Sequence, residues 1–438
     1  MHTLSVSNDL TPLLDDIGNR PVVLLGEASH GTHEYYTWRT AISKRLIQEK
    51  GFRFIAVEGD WPDCYLLNRY VKGYKDAGSD ARSIMEKFDR WPTWMWANWE
   101  VLALIEWLRE HNSHLAPQHK VGFYGLDVYS LWDSMKVMID YLDKEDQQAA
   151  QWVRKAITCF EPYRDNEQLY ARHSIAKGCQ EEVIRMLKEI RTRAQFLDGD
   201  REAGFNTEQN ALITVNAERY YRSMMGFDNE SWNIRDRHMM ETFQRLLTWH
   251  GGQPGQDPLP HSGQNPPNPN TNHPPKGIVW EHNTHIGDAR ATDMAAAGMV
   301  NIGQLTREHY GADNVYSVGF SSYRGSVIAG EAWGAPMEEM EVPPAREESI
   351  EYTLHRISGR DHYVLFNEKK TDIFDSRIRH RAIGVVYHPS FERKSNYVPS
   401  ILSLRYDALI YLDETRALHP LHLEPHNIKT PETYPFGL

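Results

Sequence analysis

Short apolar runs rich in β-branched residues recur along the chain and alternate with stretches of helical periodicity. Most runs are nearly continuous in hydrophobic residues, as in strands buried on both faces. The predicted strands cover residues 21–26, 52–59, 120–127, 277–282, 314–320, 362–367, 382–387 and 408–414. The predicted helices cover residues 33–50, 99–111, 130–143, 146–158, 180–198, 205–226 and 233–249. This alternation predicts an α/β fold, with a central, mostly parallel sheet flanked by helices.

The same patterns divide the chain into regions. Residues 130–250 contain helical patterns but no convincing strand, which predicts a helical insertion lobe. Residues 251–276, dominated by Pro, Gly, Asn and Gln, have almost nothing apolar to bury and predict a flexible surface insertion. A chain of 438 residues can form one large domain or two. We predict a single domain over residues 1–438, because the strand after the insertion carries polar residues that complement those of the first strand.

Composition narrows the classes of partner. The net charge is −12 and no long cluster of Lys and Arg occurs, which argues against nucleic acid or an anionic membrane as the main partner. No apolar run approaches the roughly 18 residues that cross a bilayer, and no signal peptide is evident. The three cysteines show no metal or redox spacing. We therefore expect a cytoplasmic protein that acts on a small molecule; the oligomeric state is not indicated.

Acidic residues and histidines follow four of the predicted strands. The carboxyl ends of strands in an open α/β sheet line the crevice where ligands bind. One strand that ends in this way can be explained by chance, but four such strands indicate a group of functional residues. If the strands are neighbours, five side chains converge in one cleft: Glu27, His30, Glu58, His282 and His285.

Each of these residues also has a structural explanation. A carboxylate after a strand is usually an N-cap for the next helix, which suits Asp60 and Asp127, and Ser29 or Thr32 can cap the helix at 33–50. A lone histidine is more often structural than catalytic. His30, however, lies in a polar turn beside glycine, where a neighbouring carboxylate can orient its ring and stabilise its protonated form.

Two predicted helices add cationic candidates. Arg39, on the helix after the first turn, can neutralise a carboxylate or a developing oxyanion. Arg235 and His238 are three residues apart and so share one helix face, although a surface ion pair between Arg235 and Asp236 is an equally simple explanation. The tryptophans of "RWPTWMWANWE", residues 90–100, can line an apolar ligand site or pack in the core.

The sequence motifs of several known enzyme mechanisms are absent from the chain. The chain contains no G-x-S-x-G, H-E-x-x-H, P-loop or G-x-G-x-x-G pattern, which argues against a serine hydrolase elbow, zincins, P-loop enzymes and a dinucleotide fingerprint. A divalent metal on Glu27, His282 and His285 stays open as an alternative, because H-x-x-H is a weak metal motif. A general base that activates water, surrounded by carboxylates and cationic donors, is favoured, with no cofactor.

The motifs together resemble the erythromycin esterase family. They are "LLGEASHGTHEYYTWRTAISKRLI" (24–47), "FIAVEGDWPD" (54–63), "SWNIRDRHM" (231–239) and "IVWEHNTHIGDARAT" (278–292), and weaker matches extend the resemblance over about residues 15–420. The resemblance implies hydrolysis of a carboxylic ester, in the best-known members the macrolactone of macrolide antibiotics. It places the essential histidine on His30 and its acidic partner on Glu27. It also assigns functional roles to Arg39, Glu58, His282 and His285.

We therefore predict an esterase in which His30 deprotonates water and Glu27 orients His30. Arg39, His282 and His285 are expected to bind or protonate the oxyanion and the leaving alkoxide, with Glu58 tuning them. Arg235, His238 and Trp61 are expected to contact the substrate. Two alternatives are a metal-dependent hydrolase of another small-molecule ester on the same scaffold and a non-catalytic protein that binds a hydrophobic ligand.

Overall fold

The structure, a computed structural model, describes residues 1–163, 167–174, 178–194, 200–224, 229–251, 275–367 and 372–422. The strands are His2–Thr3 (β1), Val22–Leu25 (β2), Phe54–Asp60 (β3), Gly122–Asp127 (β4), Gly277–Trp280 (β5), Val315–Gly330 (β6), Met337–Val342 (β7), His362–Leu365 (β8), Arg377–Arg381 (β9), Tyr397–Ile401 (β10) and Ala408–Thr415 (β11). The helices of the first half are Thr11–Ile17 (α1), His33–Lys50 (α2), Trp61–Lys72 (α3), Ala81–Met85 (α4), Trp99–Ser113 (α5), Leu131–Glu145 (α6), Gln147–Phe160 (α7), Glu167–Ser174 (α8) and Gln180–Ala194 (α9). Those that follow are Arg201–Ser223 (α10), Glu230–Gly251 (α11), Asn283–Ile286 (α12), Ile302–Tyr310 (α13), Ile350–Ile357 (α14), Asp372–Asp375 (α15), Glu392–Ser395 (α16) and Leu402–Arg405 (α17).

The main sheet has nine strands within the described residues, in the order β1-β8-β11-β6-β2-β5-β3-β4, with β7 paired to β6. The six strands from β11 to β4 are parallel to their neighbours, whereas β1, β7 and β8 pair antiparallel. The predicted α/β class with a mostly parallel sheet is therefore confirmed. Because β2, β5 and β3 are adjacent, their carboxyl ends meet at one edge, which positions the site.

The central strands are buried on both faces, as their continuous apolar runs predict. In β2, Val23 and Leu25 enter one apolar cluster together with Trp280, while Val22 and Leu24 enter a second cluster on the opposite face. Alternate residues of a strand point to opposite faces, so each central strand serves both clusters. Helices α2 and α5 supply residues to the first cluster and α11 to the second.

Helices occupy nearly all of the described part of residues 131–251, and this part contains no strand. Helices α6, α7, α9 and α10 share a separate apolar cluster, which matches the predicted helical lobe. A disulfide joins Cys159 of α7 to Cys179, just before α9. The sequence does not reveal this bond, because a spacing of 20 residues follows no motif. Within the described residues, no helix combines enough length and hydrophobicity to cross a bilayer.

One predicted strand, at 382–387, is wrong. Ile383 and Val386 form only isolated bridges, with Ser29 and Gly330 respectively, and the regular pairing at this position is a two-stranded ribbon of β9 and β10. The run is apolar because Ile383, Val385 and Tyr387 are buried. The predicted insertion at 251–276 lies outside the described residues from 252 to 274. The single domain stays a prediction.

Candidate active site

The turn after β2 is built around two close approaches of the backbone to its neighbours. A Cβ on Gly26 would lie 2.1 Å from the Asn283 side-chain oxygen, and one on Gly31 would lie 1.9 Å from the Ile328 carbonyl oxygen. Only glycine fits where another chain segment comes so close. These contacts hold the residues between them, including Glu27 and His30, against the strand ends.

Glu27 and His30 form a buried dyad. The Nδ1 of His30 lies 2.9 Å from Glu27 Oε1, and Arg39 donates to Glu27 Oε2 at 2.5 Å. Arg39 is fully buried, with its guanidinium over the rings of Tyr36 and Trp280. Because a carboxylate only accepts hydrogen bonds, Nδ1 carries the proton and Nε2 of neutral His30 is left as the acceptor. Arg39 therefore acts on Glu27, and it does not line the cavity described below.

Arg235 of α11 connects the ends of β3 and β4. It donates to Glu58 Oε1 at 2.6 Å and to the two oxygens of Asp127 at 3.0 and 2.7 Å. A fourth contact, from Nη1 to Nε2 of His285, measures 3.1 Å. A guanidinium has five N–H groups, so one on Nη1 is left over. Arg235 is thus a buried cation held by two carboxylates, with a spare donor.

His285 forms a second dyad, with Asp236. Its Nδ1 lies 3.0 Å from each Asp236 oxygen, and its ring stacks on Trp232 at 4.5 Å between centroids. Arg235 can only donate, so Nε2 of His285 accepts from it and Nδ1–H donates to Asp236. Both nitrogens of His285 are therefore occupied.

His282 sits beside His30, with 4.9 Å between the ring centroids. Its Nδ1 accepts the backbone N–H of Thr284 at 3.3 Å, so Nε2 carries the proton of the neutral ring. That Nε2 is buried and has no hydrogen-bond partner among the described residues. Burial and the nearby charge of His30 lower the pKa of His282 well below its usual value. His282 is therefore a neutral ring with a proton to donate.

Glu281 is a second buried carboxyl beside Glu58. The two follow Trp280 and Val57, which are paired in β5 and β3, so they lie on the same face of the sheet. Both oxygens of Glu281 lack a hydrogen-bond partner within the described chain. Burial and then the charge of Glu58 raise the pKa of Glu281 well above its usual value. Glu58 is the ionised member: burial opposes its charge, but the Arg235 guanidinium and the backbone N–H of His282, which donates to it at 2.9 Å, hold its pKa below the usual value.

The charge on Glu58 also sets the protonation of His30. Burial alone would lower the pKa of His30, but the charge of Glu58 and the hydrogen bond that His30 donates to Glu27 outweigh burial and raise it. A histidine whose pKa is raised above its usual value near 6.5 is a stronger base when neutral. Electrostatics thus favour proton uptake at His30.

A cavity of about 760 Å³, part of it open to solvent, lies over this edge of the sheet. His30, Glu58, Asp127 and Arg235 form part of its wall. The rest is mainly aromatic and acidic and comes from the start of α3, from residues 88–96 and from more distant segments, namely Asp60, Asp63, Cys64, Phe88, Arg90, Trp91, Trp96, Tyr129, Trp333 and Val385.

The structure brings the predicted strand-end residues together but separates two of the predicted substrate contacts from the cavity. Trp61 is fully buried, stacks on Tyr65 and Tyr124 and donates to Asn206 at 2.8 Å. His238 is buried, and burial lowers its pKa to about 4. These two expectations are corrected, because both side chains belong to the interior and neither lines the cavity. Arg235 does line it, and its contact with a substrate stays a prediction.

The residues predicted to cap helices make other contacts in the structure. Thr32 is the N-cap residue of α2 but makes no side-chain capping bond, because its hydroxyl is bonded to that of Ser29. Asp60 pairs with Arg90 and does not cap α3. Asp127 accepts the Val128 N–H at 2.8 Å, yet its main partner is Arg235. The alternative of a surface ion pair at Arg235 and Asp236 is wrong, because both are buried.

Glu27, His282 and His285 do not form a metal-ligand set. The oxygens of Glu27 are bonded to His30 and Arg39, and both nitrogens of His285 are bonded to protein groups. Among the residues that the structure describes, the only three ligand side chains close enough for one ion belong to a different cluster. The donors at the strand ends thus do not fit an ion.

Sequence reasoning missed Asp236, Glu281 and Tyr129 as parts of the site. Asp236 is adjacent to Arg235, and Glu281 precedes His282, so both stood inside quoted motifs. A helix that passes over the ends of the strands can direct two successive residues to different partners. Asp236 could therefore be identified only once the position of α11 relative to the sheet was known. Tyr129 has its ring 5.0 Å from the Arg235 guanidinium, a contact that sequence spacing does not indicate.

Fold and site together define an α/β protein with a buried histidine–carboxylate site at the carboxyl edge of a parallel sheet. A sequence model described as erythromycin esterase matches residues 47–415, most of the chain. The chain belongs to the erythromycin esterase family, and that membership indicates an ester hydrolase. Glu27, His30 and Arg39 lie before the matched range.

Individual relatives are distant. "Erythromycin esterase type II" of Escherichia coli is 21% identical over 389 residues, which cover 84% of this chain and 85% of that protein. The crystal structure of a succinoglycan biosynthesis protein superposes with a TM-score of 0.74 at 19% identity, over 95% of both chains. A mutant of the erythromycin esterase EreC in its open conformation superposes with a TM-score of 0.64 at 15% identity, over 96% of both chains. At such identities the structural matches show the shared fold.

Proposed function

We propose that the protein hydrolyses a carboxylic ester of a small molecule, with His30 as the general base that activates water. The observation that carries the proposal is the Glu27–His30 dyad at the cavity wall. Glu27 fixes the tautomer in which Nε2 accepts a proton, and its charge stabilises the imidazolium that forms. No other histidine lines this cavity in the described part of the chain.

Arg235 is the cation that we assign to the developing oxyanion. It lines the cavity, carries a spare N–H on Nη1 and is held in position by Glu58, Asp127 and His285. A preorganised donor of this kind stabilises charge that appears in the transition state, typically by about 3 kcal/mol. In this proposal His285 positions Arg235, and Glu58 fixes Arg235 while raising the pKa of His30.

The proton that His30 takes from water must reach the leaving alkoxide. His30 itself can return it, since a base becomes an acid after the first step. His282 has a neutral ring with a free Nε2–H next to His30, and we assign it to support this transfer. The carbon–oxygen bond of the ester breaks, and the products are a carboxylic acid and an alcohol, or one hydroxy acid if the substrate is a lactone.

A macrolide lactone is the candidate substrate because the curated relative is named for erythromycin. The test is to incubate the protein with 14-membered macrolides and with simple aryl esters and to measure product mass. A gain of one water molecule by a macrolide supports the lactone proposal, and cleavage of simple esters alone would restrict the proposal to ester hydrolysis. Recovery of unmodified compounds after long incubation would contradict both, and binding without turnover would indicate a ligand-binding protein. Loss of activity in chelator would favour a metal-dependent route.

We also propose that the protein is located in the cytoplasm, although one observation opposes this location. The Cys159–Cys179 disulfide is of a kind that is rare in the cytosol of most organisms. Counting free thiols on protein isolated from its native host decides between the two. Three free thiols would support the cytoplasm, and one would support an oxidising compartment.

A further inference from the structure

Three side chains from remote parts of the chain converge outside the cavity. His33 is the first residue of α2, Glu100 lies in the first turn of α5, and His419 follows β11. The Nδ1 atoms of both histidines lie 2.6 Å from the same Glu100 oxygen, Oε1. The three potential ligand atoms all lie within 4.8 Å of one another, and the two rings meet edge to face. None of the three residues lines the cavity.

Glu100 is a buried carboxylate without a strong cationic partner. Its side chain is 3% exposed, and no Lys or Arg pairs with it in the described part of the chain. Besides the two imidazoles it has only backbone donors, its own N–H and that of His419, the latter at 3.4 Å. A buried carboxylate is stabilised best by a cation, and Oε1 of Glu100, which the two imidazoles share, is the oxygen suited to a bound ion.

We propose that His33, Glu100 and His419 bind a divalent transition-metal ion of the zinc type. Two imidazole nitrogens and a carboxylate oxygen are a donor set that suits Zn²⁺. His419 is 61% exposed and His33 23%, so the fourth position faces water. With metal–ligand bonds of about 2.0–2.2 Å, a tetrahedral ion holds its ligand atoms roughly 3.3 Å apart. Small outward rotations of the two rings therefore admit the ion beside Glu100.

The ion would join three segments that border the candidate active site. His33 directly follows the turn that carries Glu27 and His30, and its N–H donates to the carbonyl of Arg416 at 2.9 Å. Trp99, just after the cavity segment 88–96, donates to the carbonyl of His419 at 2.9 Å. The unfolded chain does not hold these three segments together, so ion binding stabilises the folded protein. The site is structural and supplies no reacting group.

The test is zinc binding to the full chain without a histidine tag, by isothermal titration against Zn²⁺ and by thermal unfolding with and without Zn²⁺. The wild type is expected to bind one equivalent and to unfold at a higher temperature when Zn²⁺ is present. His419→Ala removes an exposed ligand and is expected to bind at least tenfold more weakly and to lose the shift in Tm. The matched control is His114→Ala, which removes an exposed histidine paired with a single carboxylate, Glu110, at 2.9 Å.

Three results would overturn the proposal, the third from a further variant. One is the absence of saturable, stoichiometric binding by the wild type. The second is equal affinity in the wild type, His114→Ala and His419→Ala, which would place any bound ion elsewhere. If His419→Ala unfolded early for other reasons, Glu100→Gln keeps the side-chain volume and removes the anionic ligand. Near wild-type zinc affinity in that variant would equally overturn the proposal.

Discussion

Two histidine–carboxylate dyads lie on the same sheet edge and differ in what surrounds them. In both, Nδ1 of the histidine is bonded to a buried carboxylate, Glu27 for His30 and Asp236 for His285. The other ring nitrogen, Nε2, differs between the two. In His30 it has no cationic partner among the described residues, whereas in His285 it accepts a hydrogen bond from Arg235. His30 lines the cavity and His285 does not.

The difference shows that a dyad becomes a base only when its second nitrogen is available. The negative charge of Glu58 supports protonation of His30, whereas Nε2 of His285 is already occupied by an N–H of Arg235. One pair is arranged to move a proton and the other to position a cation. Five substitutions, from the largest expected effect to the smallest, test this distinction.

Replacing the histidine of each dyad gives the largest contrast. His30→Asn is expected to lower kcat about 10²–10⁴-fold, as for loss of a general base, while circular dichroism shows an intact fold. His285→Asn is expected to act mainly on stability, since Arg235 and Asp236 lose a buried partner, at a cost of about 1–3 kcal/mol. Rates and the free energy of unfolding are measured on both. Near-normal turnover by His30→Asn, with the fold intact, would reverse the assignment.

Arg235→Met removes the cation that is bonded to the His285 dyad and not to the His30 dyad. Glu58 and Asp127 would be left buried and unpaired, which typically costs about 3–5 kcal/mol of unfolding free energy. Arg324→Met is the matched control, because it breaks an exposed ion pair with Glu414, 2.9 Å long, and should change stability by less than about 1 kcal/mol. Urea unfolding measures both. A loss in Arg235→Met no larger than in the control would show that Arg235 is not the organising cation.

Glu27→Gln sharpens the role of the first dyad. Glu27 raises the pKa of His30, so its loss should lower that pKa and reduce kcat by about 10- to 100-fold. Neutral His30 is the active form, and activity rises as pH increases through its pKa, which is above 6.5 in the wild type. The acidic limb of the pH–rate profile should therefore move to lower pH in Glu27→Gln. An unmoved limb would mean that another group titrates.

Glu281→Gln is expected to have the smallest effect. Burial raises the pKa of Glu281, so the folded protein keeps this proton above the pH at which the unfolded chain releases it. The unfolded state then binds fewer protons than the folded state, and this group makes stability fall as pH rises above the unfolded value. Glutamine does not titrate. The variant should match the wild type near pH 4 and gain relative stability toward pH 8, measured by urea unfolding at both pH values.

Much of the scaffold was predictable because its signals are local. The helix predicted over 33–50 is observed over the same residues, and β2, β3, β4 and β5 differ from their predicted bounds by at most two residues at either end. The central strand β6, in contrast, continues to Gly330, ten residues beyond its predicted end. The run at 382–387 was wrongly predicted as a strand because any buried segment is apolar, whether or not it is a strand. Hydrogen-bond pairing with another segment, which is non-local, decides whether a segment forms a strand. Trp61 and His238 were misplaced for a related reason, since the face that a helix turns toward the cavity depends on the packing of the neighbouring elements.

The sequence by itself determined the α/β class and the polar strand ends. Buried parallel strands require continuous apolar runs, and their carboxyl ends are where a chain of this class can place reactive groups. Only the tertiary structure decided which histidine keeps a free nitrogen, which carboxyl is ionised and where Arg235 lies. These outcomes depend on burial and on charges brought together from distant segments, and pKa values respond to distances of a few ångströms that sequence spacing does not contain.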